Sequence, residues 1–359
     1  MELAKNIKQL LFEGTVIPAH PLALDQYRLL DEYHQRLLTR YYIDSGAGGI
    51  AIGVHTTQFE IRDSEIDLFE KILSLAVEEI QRRPLIKPFI KVAGICGPTE
   101  QAIIEADIAY GLGYDLGLLS INGLGDWTEE ELLERAKIVS EHIPVFGFYL
   151  QPSVGGKVLS ENFWKEFSEI PGVCAIKIAP FNRYQTLEVV RAVCNSSRCD
   201  EIAIYTGNDD NIINDLLTTY EIQTNEGVVQ KEIVGGLLGH WAVWAHSAVD
   251  LLNDIKKAKK QGHFMSKDWL TRNIQVTDSN AAFFDSKNNF KGCIAGIHEV
   301  LRRQGLLKGI WCLNPSETLS EGQSEEIDRV YKAYPHLADD AFVRENMGKW
   351  ESELKKLNV

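Results

Sequence analysis

The chain has 359 residues, 45% of them hydrophobic and 25% charged, with 51 acidic against 37 basic side chains. That length and balance suit one large core with a smaller appendage, and the formal charge of -14 speaks against nucleic acid or an anionic membrane as partner. No apolar run reaches the ~20 residues of a membrane-spanning helix, the first residues lack a signal peptide's apolar centre, and six scattered cysteines fit a reducing compartment, so a cytoplasmic protein is expected.

After an N-terminal stretch with charges at helical spacing, short apolar runs alternate with longer amphipathic ones. The short runs are 15–18, 49–54, 89–95, 116–121, 145–149, 174–178, 202–205 and 233–238. Between them lie helix-like segments at 24–43, 65–81, 99–110, 128–140 and 184–193, one opened by the capping-box pattern Thr128-Glu-Glu-Glu131. Eight such units fit a (β/α)8 barrel over residues 1–246. A doubly wound open sheet is the rival, but its glycine-rich phosphate turn does not follow any early strand. Residues 218–231 break the rhythm and read as an inserted β-hairpin turning at Asn225-Glu-Gly227. From 247 to 359 the periodicity is helical, which predicts a C-terminal helical region packed on the barrel.

A barrel carries its chemistry at the C-terminal ends of its strands. Those ends supply His20, His55-Thr56-Thr57, Asn122, Tyr149, Gly207-Asn208 and His240, and Lys177 lies within the sixth strand. A lysine among apolar neighbours must be paired or lose its proton, and a deprotonated lysine attacks carbonyls to form a Schiff base. The plainer reading is an ammonium that reaches a carboxylate or the barrel mouth. Tyr149 and Lys177 come from adjacent strands, so both are expected to face one mouth, with the phenol passing protons to the carbinolamine. His20, His55 and His240 follow neighbouring strands and read as a polar cluster for substrate hydroxyls; a three-histidine metal site is the rival. Cys194 and Cys199 resemble half a metal site, but no second Cys or His pair follows, so free thiols are expected. Trp127, Trp241 and Trp244 suit a mouth wall or plain packing, and Arg183 suits an ion pair.

These pieces, in this order, resemble the dihydrodipicolinate synthase/N-acetylneuraminate lyase family of class I aldolases over about residues 12–310. His55-Thr56-Thr57-Gln58-Phe59 takes the place of its Gly-Thr-Thr-Gly-Glu turn, and Tyr149-Leu-Gln-Pro152 that of Tyr-Asn-x-Pro. Ala175-Ile176-Lys177 matches the motif of the Schiff-base lysine, 28 residues after the tyrosine, and Thr206-Gly207-Asn208-Asp209 resembles Ser/Thr-Gly-x-Asp. The resemblance implies a lyase acting on pyruvate or a 2-keto (sugar) acid, with Lys177 as nucleophile, Tyr149 as proton relay and Thr56 and Thr57 holding the carboxylate. The imine is formed with the substrate itself, so no cofactor is expected, and family habit implies a homodimer or homotetramer. Val154 stands where the synthase has an arginine that clamps its second substrate's carboxylate, which argues against lysine-pathway synthase activity. A metal-dependent barrel enzyme and a catalytically silent keto-acid binder are the alternatives.

Overall fold

The short apolar runs pair as strands because runs apolar throughout can be covered on both faces, as a parallel barrel sheet requires. The computed structural model describes residues 1–262 and 266–357. Its strands are β1 (Val16–Pro18), β2 (Gly49–Ile52), β3 (Ile90–Ile95), β4 (Leu116–Leu119), β5 (Val145–Leu150), β6 (Val173–Ala179), β7 (Ala203–Thr206), β8 (Thr219–Thr224) and β9 (Gly227–Leu238). Neighbours follow the order β1-β9-β7-β6-β5-β4-β3-β2, and a parallel bridge between Ala19 and Ala51 returns β1 to β2. With helices between the strands, this is a (β/α)8 barrel with C-terminal helices.

Side-chain alternation separates two layers. Phe146, Phe148, Ala175, Tyr205 and Leu237 fill the barrel interior, whereas Val145, Tyr149, Ile176 and Ile178 face the surrounding helices. The helix Lys5–Glu13 plugs the foot of the barrel: its Ile7 and Leu11 join the interior cluster, and the Leu11 carbonyl accepts the Tyr205 hydroxyl at 2.9 Å. The chain leaves that helix through Gly14 at φ 77°. A Cβ there would lie 1.8 Å from the Val234 carbonyl oxygen, so only glycine fits.

The hairpin at 218–231 is present, but it is not separate from the last barrel strand. β8 pairs antiparallel with the first half of β9, and β9 continues unbroken to pair with β7 and β1. The hairpin therefore projects from the foot, opposite the strand C-termini. The helix expected from residue 24 begins at Glu32. Ahead of it Asp25 accepts the Tyr27 and Leu29 N–H groups in a turn, and Asp31 caps the helix through the His34 N–H. Thr128 and Glu131 form the expected reciprocal cap. Short helices at Glu161–Ser168 and Ile212–Leu217 complete the alternation of strands and helices.

The C-terminal helices are Ala245–Lys260, Lys267–Phe283, Cys293–Arg303, Gln323–Ala333 and Asp340–Lys355. They share one hydrophobic cluster with the outer barrel layer. Among the described residues no helix is long and apolar enough to cross a membrane. Buried charge ties the elements together: Glu79 accepts from Arg36, Arg40 and Arg82, and Arg40 also reaches Glu353 of the last helix. Removing one partner from such a network strands the other charges in low dielectric. Glu79→Ala is expected to cost about 3 kcal/mol or more in urea unfolding, far above the ordinary surface substitution.

Candidate active site

Strand β6 turns Ala175, Lys177 and Ala179 inward and the isoleucines between them outward. Lys177 is thus 8% exposed, flanked in register by Phe148 and Tyr205. Its Nζ lies 4.3 Å from the centre of the Phe148 ring. Gly207, at the end of β7, makes room for the chain: a Cβ there would stand 2.5 Å from Lys177 Cε. Burial draws the Lys177 amine well below the usual lysine range, and the charge of Asp209 only partly opposes this. Asp209 is buried in turn, which lifts its carboxyl well above the usual range. Its Oδ1 accepts the His240 backbone N–H at 2.8 Å, which fixes its orientation. A buried amine and a buried acid that each resist charge make a pair suited to exchanging protons.

The turn after β2 is a short 3-10 helix, His55–Thr57. Thr57 belongs to its interior: its hydroxyl donates to the His20 carbonyl at 2.7 Å and accepts the Gly53 N–H at 3.0 Å. Thr56 and His55 face outward into the cleft beside Lys177. Burial, with a smaller contribution from the Lys177 charge, pushes the His55 imidazole down to about 4, so it is neutral at physiological pH. The first N–H groups of such a helix have no intrahelical partner, and beside them the Thr56 hydroxyl makes only a long bond, 3.4 Å, to the His20 carbonyl. Gln58 follows at φ 70°, and its Oε1 accepts the Leu313 N–H at 2.6 Å, anchoring the turn to the C-terminal region.

Lys177, His55, Thr56 and Gly207 thus meet in one cleft at the C-terminal ends of the strands. Several expected partners do not join them. Tyr149 is the main correction. It pairs in register with Ile178, not Lys177, and its ring packs on Trp164 outside the barrel with centroids 5.0 Å apart. Its hydroxyl is occupied by the Leu159 backbone, and Phe148 holds the inward position on β5.

His20 is fully buried and bonded to the Pro21 carbonyl at 2.8 Å and the Thr39 hydroxyl at 3.0 Å. The His240 ring turns away and stacks on Phe283. Burial pushes both imidazoles down to about 4. The three histidines therefore form neither a polar cluster nor a metal set, and among the described residues no three His, Cys, Asp or Glu side chains are grouped to hold a metal. Asn208 braces its loop, accepting the Phe181 N–H and donating to Thr186 and Asp215. Arg183 pairs with Asp215.

Sequence reasoning missed Asp209, although it closes the quoted Thr206-Gly-Asn-Asp motif. It also missed the walls contributed by Phe181 and, from the C-terminal region, Phe284, Phe290 and Cys293. Val154 lines the cleft as well, so the face where a carboxylate clamp was sought is apolar.

Two substitutions separate these roles. Tyr149→Phe removes a hydroxyl bonded only to backbone. It is expected to lower stability by about 1 kcal/mol while leaving the rate at which Lys177 is trapped by pyruvate and borohydride unchanged. Gly207→Ala displaces the lysine chain and is expected to cut the same trapping rate by about tenfold or more, with the far-UV dichroism of the fold retained.

No family model matches the chain. Over 146 residues, 40% of this chain and 45% of the relative, it is 31% identical to 4-hydroxy-tetrahydrodipicolinate synthase of Caldicellulosiruptor bescii. It is 30% identical over the same length to that of Caldicellulosiruptor saccharolyticus. The match therefore spans about half the length of these curated relatives. The fold superposes on dihydrodipicolinate synthase from Oceanobacillus iheyensis with a TM-score of 0.71 at 16% identity, covering 92% of this chain and 99% of that one. It also superposes on a prophage protein of the dihydrodipicolinic acid synthase family from E. coli K12 in complex with pyruvate (0.71, 17%, 91% and 99%). A Clostridium difficile protein in complex with mannosamine gives 0.69 at 16%, covering 89% and 99%. The chain is thus similar over part of its length to 4-hydroxy-tetrahydrodipicolinate synthases, and its barrel has the fold of solved dihydrodipicolinate synthases.

Proposed function

We propose that this protein is a Schiff-base lyase that captures the pyruvoyl end of a 2-keto acid on Lys177. The observation that carries this reading is a buried amine, held below its usual pKa, at the floor of a cleft in which, among the described residues, no other lysine or arginine lines the wall. The neutral amine attacks the keto carbon to give a carbinolamine. Asp209, held partly protonated by burial, gives its proton to the departing hydroxyl. Water leaves, and the imine remains. The resulting carboxylate then takes a proton from the substrate as the adjacent C–H or C–C bond breaks, leaving an enamine. The Thr56 hydroxyl and the free N–H edge of the His55–Thr57 turn receive the substrate carboxylate. No cofactor enters this sequence.

Val154, Phe181, Phe284 and Phe290 favour an uncharged, largely apolar remainder beyond the pyruvoyl group. This disfavours dihydrodipicolinate synthesis, whose second substrate brings a carboxylate, and it also disfavours a long polyhydroxylated sugar acid. A second reading follows from Phe148, which supplies no hydroxyl where it faces Lys177: a family member that binds the keto acid without turnover.

Borohydride reduction in the presence of pyruvate, 2-ketobutyrate or phenylpyruvate is expected to leave an adduct on Lys177 by peptide mapping, and none in Lys177→Ala. Absence of an adduct with the whole panel would overturn the Schiff-base reading; an adduct without release of any aldehyde or water-loss product would select the silent binder. The trapping rate is expected to rise with pH as Lys177 loses its proton, at pH well below the ordinary lysine range. It then falls as Asp209 loses the proton it donates, at pH above the ordinary carboxylate range. Asp209→Asn is expected to lower the rate by about 10²-fold and to abolish the falling limb.

A further inference from the structure

The foot of the barrel holds two thiols that the proposed reaction leaves idle. Cys194 closes the helix Arg183–Cys194, and Cys199 opens the short turn Cys199–Glu201 ahead of β7. The intervening chain folds back on itself, with the Ser196 N–H on the Val193 carbonyl at 3.1 Å and the Cys199 N–H on the Ser196 carbonyl at 3.3 Å. This turn brings the two cysteines to one face of the barrel foot. Both line an open cleft whose far wall is the hairpin, at Thr224, Glu226 and Val229. Lys231 crosses from β9 and donates to the Cys199 carbonyl, which brings its ammonium to the residue that carries the sulfur.

A donated S–H and an adjacent cation are what stabilise a thiolate. They hold the Cys199 thiol below the usual cysteine range and push Cys194 above it. The other cysteines have no such setting. Cys96, Cys293 and Cys312 are buried, and burial raises Cys174, which bonds the Gly172 carbonyl.

We propose that Cys194 and Cys199 form a redox-active dithiol in which the Cys199 thiolate attacks a hydroperoxide and Cys194 resolves the product to a disulfide. In the first step the Cys199 sulfur bonds the terminal peroxide oxygen and the O–O bond breaks. The departing alkoxide takes a proton to become an alcohol, and Cys199 becomes a sulfenic acid. In the second, the Cys194 sulfur attacks that sulfur, and its proton leaves with the hydroxyl as water. Two thiols lose two electrons, and one hydroperoxide is reduced to alcohol and water. The bond fastens the end of the helix to the foot of β7.

The test uses the full native chain and hydrogen peroxide, followed by alkylation and tryptic mapping. The expected product joins the peptide Ala192–Arg198 to the peptide Cys199–Lys231 with the loss of two hydrogens, and dithiothreitol reverses it. In Cys194→Ser the link disappears and dimedone captures a sulfenic acid on Cys199. Without peroxide, native Cys199 is expected to alkylate about tenfold faster than the partly exposed Cys174 at pH 7. Oxidation of Cys199 no faster than Cys174, or its conversion to sulfinic acid in the wild-type chain without the linked peptide, would falsify the proposal.

Discussion

Everything at the mouth of this barrel answers to one constraint: an amine must be kept in an apolar interior. An unpaired ammonium there costs several kcal/mol in lost hydration, so the group sheds its proton unless a neighbour repays the cost. Asp209 repays part of it, and being buried itself it also resists charge. Gly207 grants the lysine chain its path, the Phe148 ring gives the ammonium form a weak electrostatic host, and His55 stays neutral rather than add a like charge. These residues come from β2, β5, β6 and β7 and share one purpose, which is to hold the amine near the point of losing its proton.

The scaffold around that point is built from tighter bonds than the site itself. Thr57 closes the strand-2 turn with its own hydroxyl, Asn208 and Asp215 brace the strand-7 loop, and His20 locks the loop after β1 through Thr39. Residues that looked like substrate ligands are thus mostly supports of the cleft. Short polar side chains at strand ends satisfy backbone groups that a turn leaves open, and such support is their commonest use.

The strands and the buried lysine were legible in the sequence for a physical reason: parallel strands covered on both faces read as unbroken apolar runs. The same feature hid the orientation of Tyr149. Such a run carries no polar alternation to tell inside from outside. A register shift between β5 and β6 at Val145/Phe146, where β6 carries one residue more, sets Phe148 rather than Tyr149 opposite Lys177, which no spacing reveals. The 28-residue interval to Lys177 fixes adjacent strands and says nothing about direction. His240 went astray likewise, since its place after a strand leaves its ring free to turn toward Phe283. Phe284, Phe290 and Cys293 lay out of reach because they arrive from helices more than a hundred residues beyond Lys177.

That distance has an evolutionary meaning. The groups that would make and break bonds are carried by barrel strands, where a shift of one position turns a side chain out of the mouth. Much of the wall that a substrate's far end would meet is carried by the segment from Phe284 to Cys293, on a helical layer that packs against the barrel without sharing its strands. In the proposed reaction, reactivity and selectivity would therefore rest on different stretches of the chain. Substitutions in that segment would then change what the cleft accepts without moving Lys177.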